Sequence, residues 1–247
     1  HSQGNIVEAK KYYKYCISQC FNDHRVFSNY GVILKDLGKL KEAEIYTRKA
    51  IDLKPNSAEA QYNHGAVLLD ICKLKEAEIH TRKAIKLKPN FAEAYKNLGS
   101  IARDLGCLQD AKECTNKAIE LKPDYADAHL NLGNIFSDLK NHPEAINHYT
   151  QALKLNNESS LAKTSLIESK VAICDWSDEE THNIWLKSLG IKGQYVNPWA
   201  LMSVEDNPLN HLKRSKNLYK EHYIRPTKQI QSSKKSLIHI GYFSADF

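Results

Sequence analysis

Along residues 24–158 apolar and small side chains recur with two superposed periods. In short windows they fall every third or fourth residue, which places them on one side of an α-helix. Over longer stretches the whole pattern returns every 34 residues. Gly31, Gly65, Gly99 and Gly133 form one series, Ala43, Ala77, Ala111 and Ala145 a second, and Ala50, Ala84, Ala118 and Ala152 a third. Pro55, Pro89 and Pro123 form a fourth, with Asn157 where its next member would stand. Counted from His24, Ala58, Ala92 and Ala126, positions 4, 7, 8 and 11 share a side of a first helix. They hold Phe27, Tyr30, Gly31 and Leu34 in the first repeat, and Tyr95, Leu98, Gly99 and Ala102 in the third. Glycine inside a helix costs about 1 kcal/mol, which is tolerable where a second helix packs closely against it. Alanines at positions 20 and 27 read as helix–helix contacts that a larger residue would push apart. Proline at position 32 stops the second helix. His64 stands at position 7, where Leu98 and Leu132 stand elsewhere, and reads as a half-buried packing residue.

This spacing, repeated four times without insertion, resembles the tetratricopeptide family from about His24 to Glu158. The resemblance implies an all-α fold, a right-handed superhelix of helix pairs. Gly4, Ala9, Tyr13 and Cys16 fit positions 15, 20, 24 and 27 of a preceding repeat, so residues 1–23 read as the second helix of a truncated repeat. Residues 24–158 are then four repeats, residues 159–236 a capping helix and linker, and residues 237–247 something of different character.

Positions 2, 6, 9 and 13 lie opposite the core positions, on the side that lines the concave groove in this family. Position 6 is Asn29, Asn63, Asn97 and Asn131; position 13 is Asp36, Asp70, Asp104 and Asp138. Asparagine is a mediocre helix former, and aspartate in a last turn opposes the macrodipole by roughly 0.3–1 kcal/mol. Three causes are open. A ladder of amides, each both donor and acceptor, can hold an extended peptide by its backbone, with the aspartates favouring basic or hydroxyl-bearing side chains. Recent duplication would leave the same residues without a role. Hydrogen bonds between neighbouring helices would also select them. The first makes all eight residues candidate peptide-binding positions. Residues 1–158 contain no nucleophile–base pair, phosphate loop or carboxylate dyad, so no catalytic residue is assigned.

Beyond Asn157 the period stops. Residues 159–173 read as an amphipathic helix capped by Ser159 or Ser160, able to seal the last repeat. Cys174-Asp175-Trp176-Ser177-Asp178 follows, then a helix-like run to about Leu189, a turn-rich segment, and a basic helix from Asn207-Pro208 to about Tyr223. The alternation around Ile238 and Ile240 reads as a strand. A repeat array, a Cys-Asp-Trp segment, then Ile240-Gly241-Tyr242-Phe243-Ser244-Ala245-Asp246-Phe247 resembles the O-linked N-acetylglucosamine transferase family, including its SPINDLY-like members. The asparagines at position 6 match that family's groove. The resemblance implies that residues 237–247 are the first strand of an α/β glycosyltransferase domain truncated here, before the family's functional histidine. It further implies a parent enzyme that moves a sugar from a nucleotide donor, UDP-GlcNAc foremost, to Ser or Thr hydroxyls. The chain itself is expected to bind no cofactor and to catalyse nothing. Alternatives are a non-enzymatic repeat adaptor, or a repeat array fused to another transferase.

Composition and charge narrow the partners. A hydrophobic share of 42% and a charged share of 26% are ordinary for a soluble protein. No apolar run is long enough to span a bilayer, and the opening His1-Ser2-Gln3-Gly4 is no secretory signal. The expected location is cytoplasmic and the expected partners are extended peptides or proteins, without membrane. Six cysteines lack metal spacing and read as small buried hydrophobes in a reducing compartment. Residues 1–210 balance 27 Lys/Arg against 27 Asp/Glu; residues 211–236 hold eight Lys/Arg, Lys213, Arg214 and Lys216 among them, against Glu221 alone, and Asp246 brings the net charge of the chain to +6. That stretch reads as a solvated basic linker and not as a nucleic-acid face, which would need base-reading partners.

Overall fold

The computed structural model describes residues 6–19, 22–191, 196–197, 201–202 and 204–223. The chain forms two compact units, His1–Leu186 and Lys187–Phe247. In the first, α1 (Ile6–Ser18) precedes four helix pairs: α2 (His24–Asp36) with α3 (Leu40–Leu53), α4 (Ala58–Asp70) with α5 (Leu74–Leu87), α6 (Ala92–Asp104) with α7 (Leu108–Leu121), and α8 (Ala126–Asp138) with α9 (His142–Leu155). Two further helices follow, α10 (Ser160–Ala172) and α11 (Glu179–Leu186). Each helix of the pairs packs on its sequence neighbours, and first helices of successive pairs also touch, which makes the unit an all-α right-handed repeat solenoid. Helix α10 lies against α9 and α8.

The small-residue series holds the pairs together. All eight alanines at positions 20 and 27 are buried. A Cβ on Gly133 would come within 2.5 Å of the Tyr149 ring, and one on Gly65 within 2.7 Å of the Thr81 hydroxyl. Gly31 and Gly99 face Thr47 and Thr115 in the same way. Position 8 is therefore glycine because position 24 of the partner helix sits where a Cβ would be. Position 10, not singled out by the sequence, carries Ile33, Val67, Ile101 and Ile135, all fully buried. Val67 packs with Tyr30, Leu34 and Ala43 of the preceding repeat, and Ile101 with Leu68 and Ala77.

Each first helix closes on a residue in the left-handed region: Gly38, Cys72, Gly106 and Lys140, at φ 71°, 60°, 80° and 60°. The next amide then bonds back to the helix, Lys39 N–H to Leu34 O at 2.8 Å and Lys73 N–H to Leu68 O at 2.9 Å. Starts are capped by Asp23, whose carboxylate accepts from Arg25 N–H at 2.8 Å, and by Ser57 and Ser159.

The second unit contains α12 (Pro208–Tyr223), capped by Asn207. Arg214 of this helix is fully buried; its Nε donates to Leu189 O at 2.7 Å and its guanidinium pairs with Glu205. This corrects the linker reading at that residue: Lys213 and Lys216 face solvent, but Arg214 does not. The expected strand at 237–247 and the polar stretch 226–236 lie outside the described residues, as does Cys20; no strand occurs among the described ones.

Candidate functional site

The first helices place the four asparagines in line, but the exposure expected of all four holds only at the amino-terminal end. Asn29 is exposed, Asn63 half-buried, and Asn97 and Asn131 are buried. Each bonds to the preceding repeat. Asn29 Nδ2 donates to the Tyr13 hydroxyl at 3.2 Å, Asn63 Nδ2 to Ser28 Oγ at 2.9 Å, and Asn131 Nδ2 to Thr115 Oγ1 at 3.1 Å. Asn97 bonds the Tyr62 hydroxyl. One polar group of each amide thus stitches repeat to repeat, and the remaining donor and acceptor capacity is open to a ligand mainly at Asn29 and Asn63.

The four aspartates lie at the ends of the first helices, open to solvent in whole or in part. Asp70 lies 3.5 Å from Lys35 Nζ, and Asp138 is 2.5 Å from Arg103 Nε. Both cations occupy position 12 of the preceding repeat. Leu69 holds that position before Asp104, so no such pair forms there. Lys35 also lies 3.7 Å from Asp36. The line of negative charge is therefore compensated most directly at Asp70 and Asp138, a pattern visible in the sequence as alternation at position 12.

Position 5 went unnoticed in the sequence and carries Tyr62 and Lys96. Burial pushes the Tyr62 phenol up and Glu93 adds to it; burial pushes the Lys96 ammonium down, against the pull of Asp127. A cleft of about 1000 Å³ opens where α2 and α4 begin. Ser28 and Asn29 line it together with Asp23, Arg25, Lys54 and Glu59, so it offers amide, hydroxyl and charges of both signs.

Among the described residues no three His, Cys, Asp or Glu side chains gather as a metal site. The cysteines are less buried than expected, since Cys72, Cys107 and Cys174 are exposed and Cys16 and Cys114 half-buried. His64 is buried more deeply than expected and lies 2.8 Å by Nδ1 from the Thr47 hydroxyl. In the Cys-Asp-Trp segment, Asp175 accepts from Ser177 N–H at 3.0 Å, and buried Lys170 reaches Asp175 at 3.4 Å and pairs with Asp178. No described helix is long and apolar enough to cross a membrane.

Residues 24–57 and 90–158 match family models of the tetratricopeptide repeat. These segments are tetratricopeptide repeats within an all-α repeat solenoid. No curated protein matches it. Among solved structures it is similar to MamA, from residue 41 to its end, of Desulfovibrio magneticus RS-1, at 29% identity and TM-score 0.54, covering 64% of this chain and 89% of that one. PilF of Pseudomonas aeruginosa gives 18% identity and TM-score 0.64 over 81% and 91%. A thermophilic tetratricopeptide-repeat protein of Thermus thermophilus gives 18% and 0.60 over 79% and 98%; the last two likenesses concern fold alone.

Proposed function

We propose that the chain is a protein–protein interaction scaffold whose inner face holds an extended segment of a partner, with no chemistry of its own. The observation that carries this reading is Asn29 in the wall of the cleft at the start of α2 and α4, with Asn63 bonded to Ser28 of the same wall. There, amide groups with spare donors and acceptors adjoin charges of both signs, a surface suited to peptide backbone flanked by polar side chains. Titration of the chain with unstructured peptides should give saturable binding. Asn29→Ala with Asn63→Ala should weaken it by about 1–3 kcal/mol in total. Failure of every peptide to bind, or binding that ignores both asparagines, would sink the reading.

A narrower form is that the bound segment is a substrate delivered to a protein O-glycosyltransferase using a nucleotide sugar such as UDP-GlcNAc. It is supported only by the order of repeat array, Cys174-Asp175-Trp176 and Ile240–Phe247, and the adaptor reading needs none of these. With labelled nucleotide sugar, the 247-residue chain should bind peptide and transfer nothing. Turnover by this chain would refute the assignment of the chemistry to a separate domain.

A further inference from the structure

The second helices of the first two repeats differ from those of the last two in a way that packing does not require. Position 22 is isoleucine in repeats one and two, Ile45 and Ile79, and each is 65% exposed. Repeats three and four hold Glu113 and Asn147 there. An exposed helix position favours residues such as Glu or Lys, and isoleucine in water gains neither propensity nor burial. The apolar surface continues through Leu53 and half-buried Ile71, which with Ile45 line a cleft of about 1030 Å³ on the outer side of α3.

Charge follows the same division. Residues 39–54 and 73–88 together hold eleven Lys/Arg against five Asp/Glu; residues 107–122 and 141–156 hold four against four. Lys41, Arg48, Lys49 and Lys73 rim the cleft. Two acids share the lining with these four cations, Asp52 and Glu44, and Glu44 already accepts from Arg48 at 3.1 Å and from Lys73 at 2.7 Å.

We propose that this outer face of the first two repeats is a second docking surface, filled by an acidic amphipathic segment of a partner protein. Apolar side chains of that segment cover Ile45, Leu53, Ile71 and Ile79, and its carboxylates meet the surrounding ammonium and guanidinium groups. Charge complementarity selects this occupant. A second copy of the chain would set one basic face against another. A nucleic acid would meet aliphatic side chains between the cations where stacking aromatics are needed.

The probe is a labelled peptide of about 20 residues, long enough for an amphipathic helix, with leucine on one face and glutamate on the other. Controls are its scramble, a version with lysine for glutamate, and a single-stranded oligonucleotide. Anisotropy titration of the whole chain should show binding of the acidic amphipathic peptide. Ile45→Glu with Ile79→Glu should weaken it at least about tenfold, as buried anchors do, and Ile45→Ser with Ile79→Ser less. Both variants should keep wild-type helicity, because the sites are exposed. Asn63→Ala should leave this binding unchanged, which separates it from the inner face. Raising the salt to about 0.5 M should weaken it. Equal binding by the isoleucine variants overturns the proposal. So does equally tight binding of the scramble or the oligonucleotide, which would leave a simple polyanion surface. Self-association of the chain that the isoleucine variants abolish would overturn it in favour of a second copy.

Discussion

At the scale of single residues, the repeat tolerates departures whose costs can be measured. Gly38 and Gly106 take the left-handed turn freely, and a Cβ at either would meet no atom within 4 Å. Cys72 and Lys140 adopt the same conformation with a side chain, at φ 60° each. Since the strain is in the backbone alone, Cys72→Gly and Lys140→Gly should each stabilise the fold by about 1 kcal/mol; urea unfolding that moved the other way would refute it. His64 is a second departure. Thr47 donates its one hydroxyl proton to Ala43 O at 2.8 Å, so His64 Nδ1–H donates to Thr47. Burial first, with His80, Arg48 and Lys73 opposing a charge and Glu44 favouring it, holds His64 down at about 4. The unfolded chain binds that proton near the ordinary value of 6.5, so stability is full above it and falls as pH drops from there to about 4. The loss should be on the order of 2–3 kcal/mol. His64→Leu, which copies Leu98 and Leu132, should flatten much of this slope in melting temperature between about pH 7 and 4.5. His80, His148 and His182, also lowered by burial, keep a remainder.

At the scale of the helix, the alanine contacts and the glycine approach were both legible, because 34-residue repetition shows each position four times. What stayed hidden was the direction of contact. Position 10 is aliphatic in every repeat, yet helical period alone does not say that Ile101 faces the preceding pair at Leu68 and Ala77. The asparagines are the sharper case. Their pattern was plain, and hydrogen bonding between neighbouring helices stood among its open causes, but only the neighbouring repeat's placement shows Asn131 lodged against Thr115. Asn131 and Asn97 therefore serve helix-to-helix packing. Asn131→Ala removes the donor that Thr115 Oγ1 accepts from, while the hydroxyl keeps its own bond to Ala111 O, and should cost about 1 kcal/mol, whereas exposed Asn29→Ala should be close to neutral. Guanidinium unfolding of the two variants provides the comparison, and equal stabilities would dismiss the stitching role.

At the scale of the whole inner face, the question is what the aspartates present to a ligand. A basic-peptide preference follows from four carboxylates in line, but Lys35 beside Asp70 and Arg103 beside Asp138 reduce the field to its uncompensated part. Pairwise compensation was invisible while position 13 was read alone; it needed position 12 of the repeat before. The consequence is a gain upon removal. Lys35→Met with Arg103→Met bares Asp70 and Asp138 while keeping the aliphatic stems, and exposed pairs of this kind contribute about 0–1 kcal/mol to stability, so folding should hardly change. Binding of peptides carrying Lys or Arg should strengthen several-fold relative to acidic peptides of the same length. That gain should vanish near 1 M salt, where the Debye length is about 3 Å. Adding Asp70→Asn and Asp138→Asn to the same variant should return the preference to its starting value. If the unpaired aspartates leave the ratio of basic to acidic peptide affinity unmoved at low salt, they do not face the ligand, and their repetition records only how the repeats were copied.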